Sequence, residues 1–302
     1  MSMEKIDLHM HSSFSDGTDT PDQLVKKAKA SGIGLIALTD HNTLAGIDAF
    51  REACHKYDQA GIDGIELSTG WPEQDTAPGT EPPEIHVLGY FPPSSDFSSP
   101  AFEPLRRVIR EYKVTKIRHN EAIVKKMEDA GIGEGRVTVD GFYAYAHTIS
   151  DSGNYNRVHI ARYLVHLNVV SSISEAMEVY IGKKCPYYVP RKTITVAEAI
   201  DAIHAGSGAA VIAHIGEYHF SGTRLQTFFD YCLQNGVDGF ELLHPHNTPE
   251  DAMQILALAD RVLRTSGRTL LLTAGSDFHG AHKLNQQAVP WGIPYSWDVP
   301  EG

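Results

Sequence analysis

Short apolar runs alternate with amphipathic stretches at both ends of the chain, and a purely helical rhythm fills the middle. Ile6 to His9 reads as a strand. Thr20-Pro21-Asp22-Gln23 joins a capping box to a Pro at the first helical position, and so predicts a helix running to about Ser31 and closed by Gly32. Leu35 to Leu38 is apolar at consecutive positions, as expected of a strand covered on both faces, and Asn42 or Thr43 can cap a following helix through Tyr57. Gly64 to Leu67 and Ile85 to Tyr90 predict two further strands around a Pro-, Gly- and Thr-rich loop, Trp71 to Pro83.

From Pro100 the period changes. Phe102, Leu105, Val108, Ile109 and Tyr112 recur at helical spacing, and helical patterns continue around Ile123, Ile160 and Ala176 with no strand between them. Strand and helix alternate again from the capping box Thr195 to Glu198, with strands at Ala209 to Ala213, Gly239 to Leu243 and Leu270 to Ala274. About seven strand-helix units predict a parallel, barrel-like α/β core, residues 1–97 and 194–302, interrupted by a helical lid domain at 98–193. A doubly wound open sheet is the competing arrangement.

Composition narrows the function. At 302 residues the chain can bury a large core, and it contains no apolar run long enough to span a bilayer. The strand-like Ile6-Asp7-Leu8 follows the first residues too closely for a signal peptide, which makes the cytoplasm the expected location. Three scattered cysteines, Cys54, Cys185 and Cys232, form neither a disulfide framework nor a thiolate metal knuckle. A net charge of -12 disfavours long nucleic acid as a partner, yet it leaves room for a small phosphorylated substrate such as a nucleotide.

Sixteen histidines are the unusual feature of the composition. The chemistry-bearing residues are expected at or just past the C-terminal ends of strands: His9 and His11, with Asp16 on the next loop; His41; Glu66; His86; His214; and Asp277 with His279. In an extended chain residues two apart point the same way, so His9 and His11 can reach one ion. A lone His-x-His is more often incidental than metal-binding, but six imidazoles and three carboxylates gathered at one end of the strands suit Zn, Mn or Fe. Glu66 can bridge two ions.

Asp7-Leu8-His9-Met10-His11-Ser12, Ser15-Asp16-Gly17, Thr39-Asp40-His41-Asn42, Gly64 to Leu67, Ile85 to Gly89 and Gly275-Ser276-Asp277-Phe278-His279-Gly280 together resemble the PHP (polymerase and histidinol phosphatase) family over nearly the whole chain. The resemblance implies a distorted (β/α)7 barrel of the amidohydrolase-like group, three divalent ions, and attack of a metal-bound hydroxide on a phosphate ester. It implies one ion on His9, His11, Glu66 and Asp277, a second on Glu66, His86 and His214, and a third on Asp16, His41 and His279.

Asn156 to Arg162 and the helical insertion resemble the stand-alone nucleotide phosphoesterases, which points to a 3',5'-bisphosphonucleotide or AMP phosphatase. Cyclic phosphodiesterase, histidinol phosphatase and 5'-to-3' exoribonuclease activities are the alternatives within the class. A non-catalytic module that binds nucleic acid or a polymerase is the alternative outside it, although such modules often lose ligands that are all present here. Two features depart from the pattern: the stretch Thr69 to Glu84 is long, and Ile215 stands where many relatives have Pro. Arg157, whose planar fork matches phosphate oxygens, and Lys184 are expected to hold substrate phosphate, and His246 to protonate the leaving oxygen.

Overall fold

Each apolar run becomes a strand of one sheet. The computed structural model describes residues 5–72, 83–149, 155–191, 193–280 and 293–294. The strands are β1 (Lys5–Asp7), β2 (Ile33–Leu38), β3 (Ala60–Gly70), β4 (Glu84–Phe91), β5 (Ala209–Ile212), β6 (Gly239–Leu243), β7 (Leu271–Ala274) and β8 (Ile293–Pro294), in the order β7-β6-β5-β4-β3-β2-β1-β8. Residues just past β1 and β7 then pair with each other: Leu8 N–H donates to Ala274 O at 2.9 Å, His11 N–H donates to Phe278 O at 2.8 Å, and Met10 bridges Phe278 in parallel. Strands β1 to β7 thereby close on themselves, which excludes the open-sheet alternative.

The expectation of an all-parallel core needs correction. β4 runs antiparallel to both β3 and β5, while the other pairs among β1 to β7 are parallel. A reversed strand presents its N-terminal end where its neighbours present their C-terminal ends. His86, third in β4, therefore reaches the same rim as the residues that follow the parallel strands.

Alternation along the strands sorts side chains to two sides. Ile36, Leu38, Ile65, Leu67, Val87, Ile212 and Phe240 pack outward beneath helices, whereas Ala37, Leu88, Val211 and Ala213 form a small inner cluster. Glu66 stands between Ile65 and Leu67, His86 between Ile85 and Val87, and Glu241 follows Phe240, so the same period aims these polar groups inward.

The covering helices are α1 (Pro21–Ala30), α2 (Ile47–Tyr57), α7 (Val196–Ala205), α8 (Gly222–Gln234) and α9 (Pro249–Ser266). Capping boxes begin α1 at Thr20 and α7 at Thr195, as the sequence predicts. Neither Asn42 nor Thr43 caps α2, whose N-cap is Gly46. Asn42 instead adopts φ 53° and ties itself to Ser68, donating through Nδ2 and accepting the Ser68 N–H, both at 3.0 Å.

The chain divides into two compact units, residues 1–72, 83–109 and 194–302 in one, and 73–82 with 110–193 in the other. The second unit contains most of α3 (Glu103–Asp129), with α4 (Val139–Ile149), α5 (Arg157–His166) and α6 (Ile173–Ala176), around its own core of Ile123, Val124, Met127, Phe142, Ile160 and Leu164. Among its described residues there is no strand. Most of the loop expected between Trp71 and Pro83, residues 73–82, lies outside the described residues, and Thr69 and Gly70 still belong to β3. Among the described residues no helix is long and apolar enough to cross a membrane.

Candidate metal centre

The nine ligand-type residues predicted from the sequence meet at one rim of the barrel. Four form its floor: His9, His11 and Glu66 are fully buried, and Asp277 nearly so. His9 Nε2 lies 3.3 Å from Glu66 Oε2 and 3.4 Å from Asp277 Oδ1, and His11 Nε2 lies 3.1 and 3.0 Å from the same two oxygens. A tetrahedron of ligands about 2.0–2.1 Å from a cation has edges of about 3.3 Å, the size of this group. His9 Nε2, His11 Nε2 and Glu66 Oε2 make no hydrogen bond within the protein. Buried polar atoms this close, yet unsatisfied, need a common partner, and a divalent cation fits.

The other oxygen of Glu66 serves a second group, with His86 Nδ1 at 2.8 Å and His214 Nε2 at 3.1 Å from Oε1. A third group surrounds Asp16, whose Oδ1 lies 3.2 Å from His279 Nε2 and whose Oδ2 lies 3.9 Å from His41 Nε2. His41 also presents Nδ1 to Glu66 Oε2 at 2.9 Å, so it faces both Asp16 and the shared carboxylate. Asp16 is exposed and His41 and His86 are half-buried; these three form the open side of the site.

Outer contacts fix which nitrogen of each ring is available. His9 pairs through Nδ1 with Glu241 Oε1 at 3.1 Å, leaving the Nε2 lone pair for the floor. His279 Nδ1 donates to Asp277 O at 2.7 Å, leaving Nε2 for Asp16. Glu241 also accepts the His214 N–H through Oε2 at 2.9 Å, so one buried carboxylate braces ligands from two strands. Asp40 takes no direct place among the ligands. It accepts from Ser12 N, Ser12 Oγ and Ser15 Oγ at 2.6–2.7 Å and so pins the loop that carries Asp16.

The backbone is bent to suit. His214 and Asp277 both adopt positive φ, 25° and 53°, a left-handed region that non-glycine residues enter at a cost of about 1–3 kcal/mol and that clusters at functional sites. At Gly275 a Cβ would collide with the His9 side chain and stand 2.6 Å from Glu241 Oε1, so glycine is required for β7 to approach β1.

Charge follows the geometry. Burial favours the neutral imidazole, but the Glu66, Glu241 and Asp277 carboxylates outweigh it and hold His9 well above its ordinary value; Asp277 and Glu66 push His11 up to about 9. Burial likewise opposes ionisation of Glu66, Asp277 and Asp16, and the surrounding imidazoles override it to hold all three well below the carboxylate range. In the protein alone, protons on His9 and His11 offset these carboxylates, and a divalent cation would take over that role. Six imidazoles, three carboxylates and no thiolate suit Zn, Mn or Fe. Cys232 is buried in the core, and Cys54, within α2, is partly buried against the apolar cluster beneath that helix.

His246 is exposed at the same rim, and its Nδ1 is hydrogen-bonded to Glu217 Oε1. The other Glu217 oxygen lies 3.6 Å from His214 Nδ1. Burial opposes ionisation of Glu217, and His214 and His246 outweigh it, lowering its carboxyl. His244 is buried, accepts the His246 N–H on Nδ1 at 3.1 Å, and is driven by burial down to about 4. Arg157 and Lys184 belong to the second unit: Arg157 is the first residue of α5, behind the Asn156 capping box, and Lys184 is exposed.

Sequence reasoning did not single out Glu241 or Glu217. Glu241 carried a signal, a carboxylate inside the apolar run Gly239 to Leu243, whereas Glu217 carried none beyond its position three residues after His214.

A closed α/β barrel with a rim of converging imidazoles and carboxylates defines a metal-dependent hydrolase. The PHP domain model matches residues 7–241, and the chain belongs to that family. It is 32% identical to a 5'-3' exoribonuclease of Haemophilus influenzae, across 91% of this chain and 90% of that one. It is 27% identical to a 3',5'-nucleoside bisphosphate phosphatase of Chromobacterium violaceum, across 92% and 88%. A solved structure from Bifidobacterium adolescentis, assigned as a metal-dependent phosphoesterase, superposes with a TM-score of 0.70 at 28% identity, covering 94% of this chain and 91% of that one.

Proposed function

We propose that this protein is a metal-dependent phosphoesterase acting on nucleotide phosphate esters in the cytoplasm, with three divalent transition-metal ions (Mn, Fe or Zn). The observation that carries the reading is the convergence of nine ligand-type side chains at one rim, Glu66 central among them, with buried ring nitrogens and a carboxylate oxygen that no protein group satisfies. His9, His11, Glu66 and Asp277 would hold one ion, Glu66, His86 and His214 a second, and Asp16, His41 and His279 a third. Bound there, the ions supply an activated water at neutral pH and neutralise charge on the phosphoryl oxygens.

The protein's own groups do the rest. Glu241 fixes the His9 tautomer, Asp40 holds the Asp16 loop, and Asp16, His41 and His86 form the side from which substrate arrives. We assign to His246, with Nδ1 engaged by Glu217, delivery of a proton from its other nitrogen to the departing alkoxide. Arg157 and Lys184 are the proposed cationic contacts to substrate phosphate.

Two substrate readings follow from the relatives. The bisphosphate phosphatase supports a mononucleotide substrate, in keeping with the net charge of -12. The exoribonuclease, at higher identity, supports the 5' end of RNA. Metal analysis followed by phosphate-release and product assays on a 3',5'-bisphosphonucleotide, AMP, a cyclic phosphate, histidinol phosphate and a 5'-phosphorylated oligoribonucleotide separates them. A protein with bound metal that hydrolyses none of these would revive the non-catalytic module and end the enzymatic reading.

A further inference from the structure

The whole-chain charge conceals a division. Residues 110–193 carry thirteen Lys and Arg against nine Asp and Glu, while the rest of the chain carries thirteen against twenty-nine. The inserted segment 110–193 is thus net positive within an acidic protein, although residues 73–82 of the same unit add three carboxylates, and averaging over the full sequence hides it. An asymmetry of this kind points to a polyanionic partner.

Part of that positive charge is organised over aromatic rings. Tyr112, Lys116 and His119 recur along α3 at helical spacing and so share a face. Lys116 Nζ lies 5.5 Å from the centre of the Tyr112 ring, and the Arg191 guanidinium lies 4.9 Å from the same ring. The Tyr188 ring takes the Arg157 guanidinium at 5.3 Å and meets the His119 ring edge-on at 6.0 Å. Two rings from separate segments are thereby placed among three cations from α3, the start of α5 and the segment before residue 193. Tyr112, Tyr188, Lys116, Arg157 and Arg191 are all partly exposed. The positive field extends to His159, which burial, with Arg162 and Lys116, drives down to about 4.

We propose that this face of the inserted unit binds single-stranded RNA, with phosphates on Lys116, Arg157 and Arg191 and bases stacked at Tyr112 and Tyr188. The proposal rests on the RNA-end reading given above. Flat rings interleaved with cations are what a strand of unpaired bases on a charged backbone requires. A simple polyanion would use the cations and leave the rings idle. A double helix keeps its bases stacked inside and away from the tyrosines.

The test is fluorescence anisotropy with the metal-loaded full chain and a labelled twelve-nucleotide oligoribonucleotide carrying hydrolysis-resistant phosphorothioate linkages. Affinity should fall with salt, with a log-log slope of about -2 for three phosphate contacts on a single strand. The pair Lys116→Glu with Arg157→Glu should weaken binding more than tenfold and flatten that slope, and Lys116→Arg with Arg157→Lys should bind nearly as the native protein does. Tyr112→Ala and Tyr188→Ala should each lose at least fivefold, while Tyr112→Phe, which keeps the ring, should not.

Binding that ignores the tyrosine variants and is competed equally by dextran sulfate identifies a bare ionic patch and overturns the proposal, as does the absence of salt-dependent RNA binding. If RNA binds as described but no phosphate ester is hydrolysed, the enzymatic reading fails and the face stands. If mononucleotides are hydrolysed and RNA does not bind, the face alone is lost.

Discussion

Replacing Glu241 by Gln tests how far the centre depends on a residue that touches no ion in the proposed arrangement. Its two oxygens do different jobs: Oε1 takes the His9 ring at 3.1 Å and Oε2 takes the His214 N–H at 2.9 Å. Gln keeps the shape but offers one carbonyl oxygen, so one of these two donors must face an amide NH2. A buried donor left unsatisfied costs about 1–3 kcal/mol, a loss expected in the urea unfolding of the metal-free protein. Loss of the carboxylate behind His9 also makes that imidazole a weaker ligand. Outer groups of this kind typically change metal affinity by about 10–100-fold, or about 1.4–2.7 kcal/mol. Chelator competition on the native and Glu241→Gln proteins reads this directly. An affinity within twofold of native, with unchanged urea stability, would refute the bracing role.

Three further outcomes follow from the same geometry. His246→Asn should slow a nucleotide ester, with its poor alkoxide leaving group, by about 10²-fold and an activated aryl phosphate by less than about tenfold, at unchanged metal content; equal losses on both substrates would remove His246 from proton delivery. Glu217→Gln should show the same leaving-group bias, and combining it with His246→Asn should cost nothing beyond the single change, because Glu217 is proposed to act through that ring. In the metal-free protein His11 is raised from 6.5 to about 9, so its stabilising protonation is complete below about pH 6.5 and lost as pH rises through about 9. The melting temperature of metal-free protein should therefore fall across that window relative to metal-loaded protein, and parallel curves would contradict the charge balance described here.

Much of this architecture was legible because its signals are local. Consecutive apolar residues at Leu35 to Leu38 and the capping boxes at Thr20 and Thr195 predict elements that the structure contains. Strand polarity is not local. Ile85 to Tyr90 has the same pattern whichever way it runs, so the reversal of β4, and with it the way His86 reaches the rim, was unreadable. The Asn42 cap failed because a tertiary bond to Ser68 competes with the helix terminus for the same side chain. Spacing placed His9, His11, Asp277 and His279 beside strand ends, but it could not show that the two oxygens of Glu66 face separate groups, or that Glu241 stands behind His9. Averaged charge misled in the other direction, since it blurs an acidic barrel with a basic insertion.

Anomalous diffraction from crystals grown with Mn²⁺ tests the central claim most directly. The account predicts peaks enclosed by His9 Nε2, His11 Nε2, Glu66 Oε2 and Asp277 Oδ1, beside Glu66 Oε1 with His86 and His214, and beside Asp16 with His279. A map in which these side chains hold their positions and no peak lies among them would contradict it.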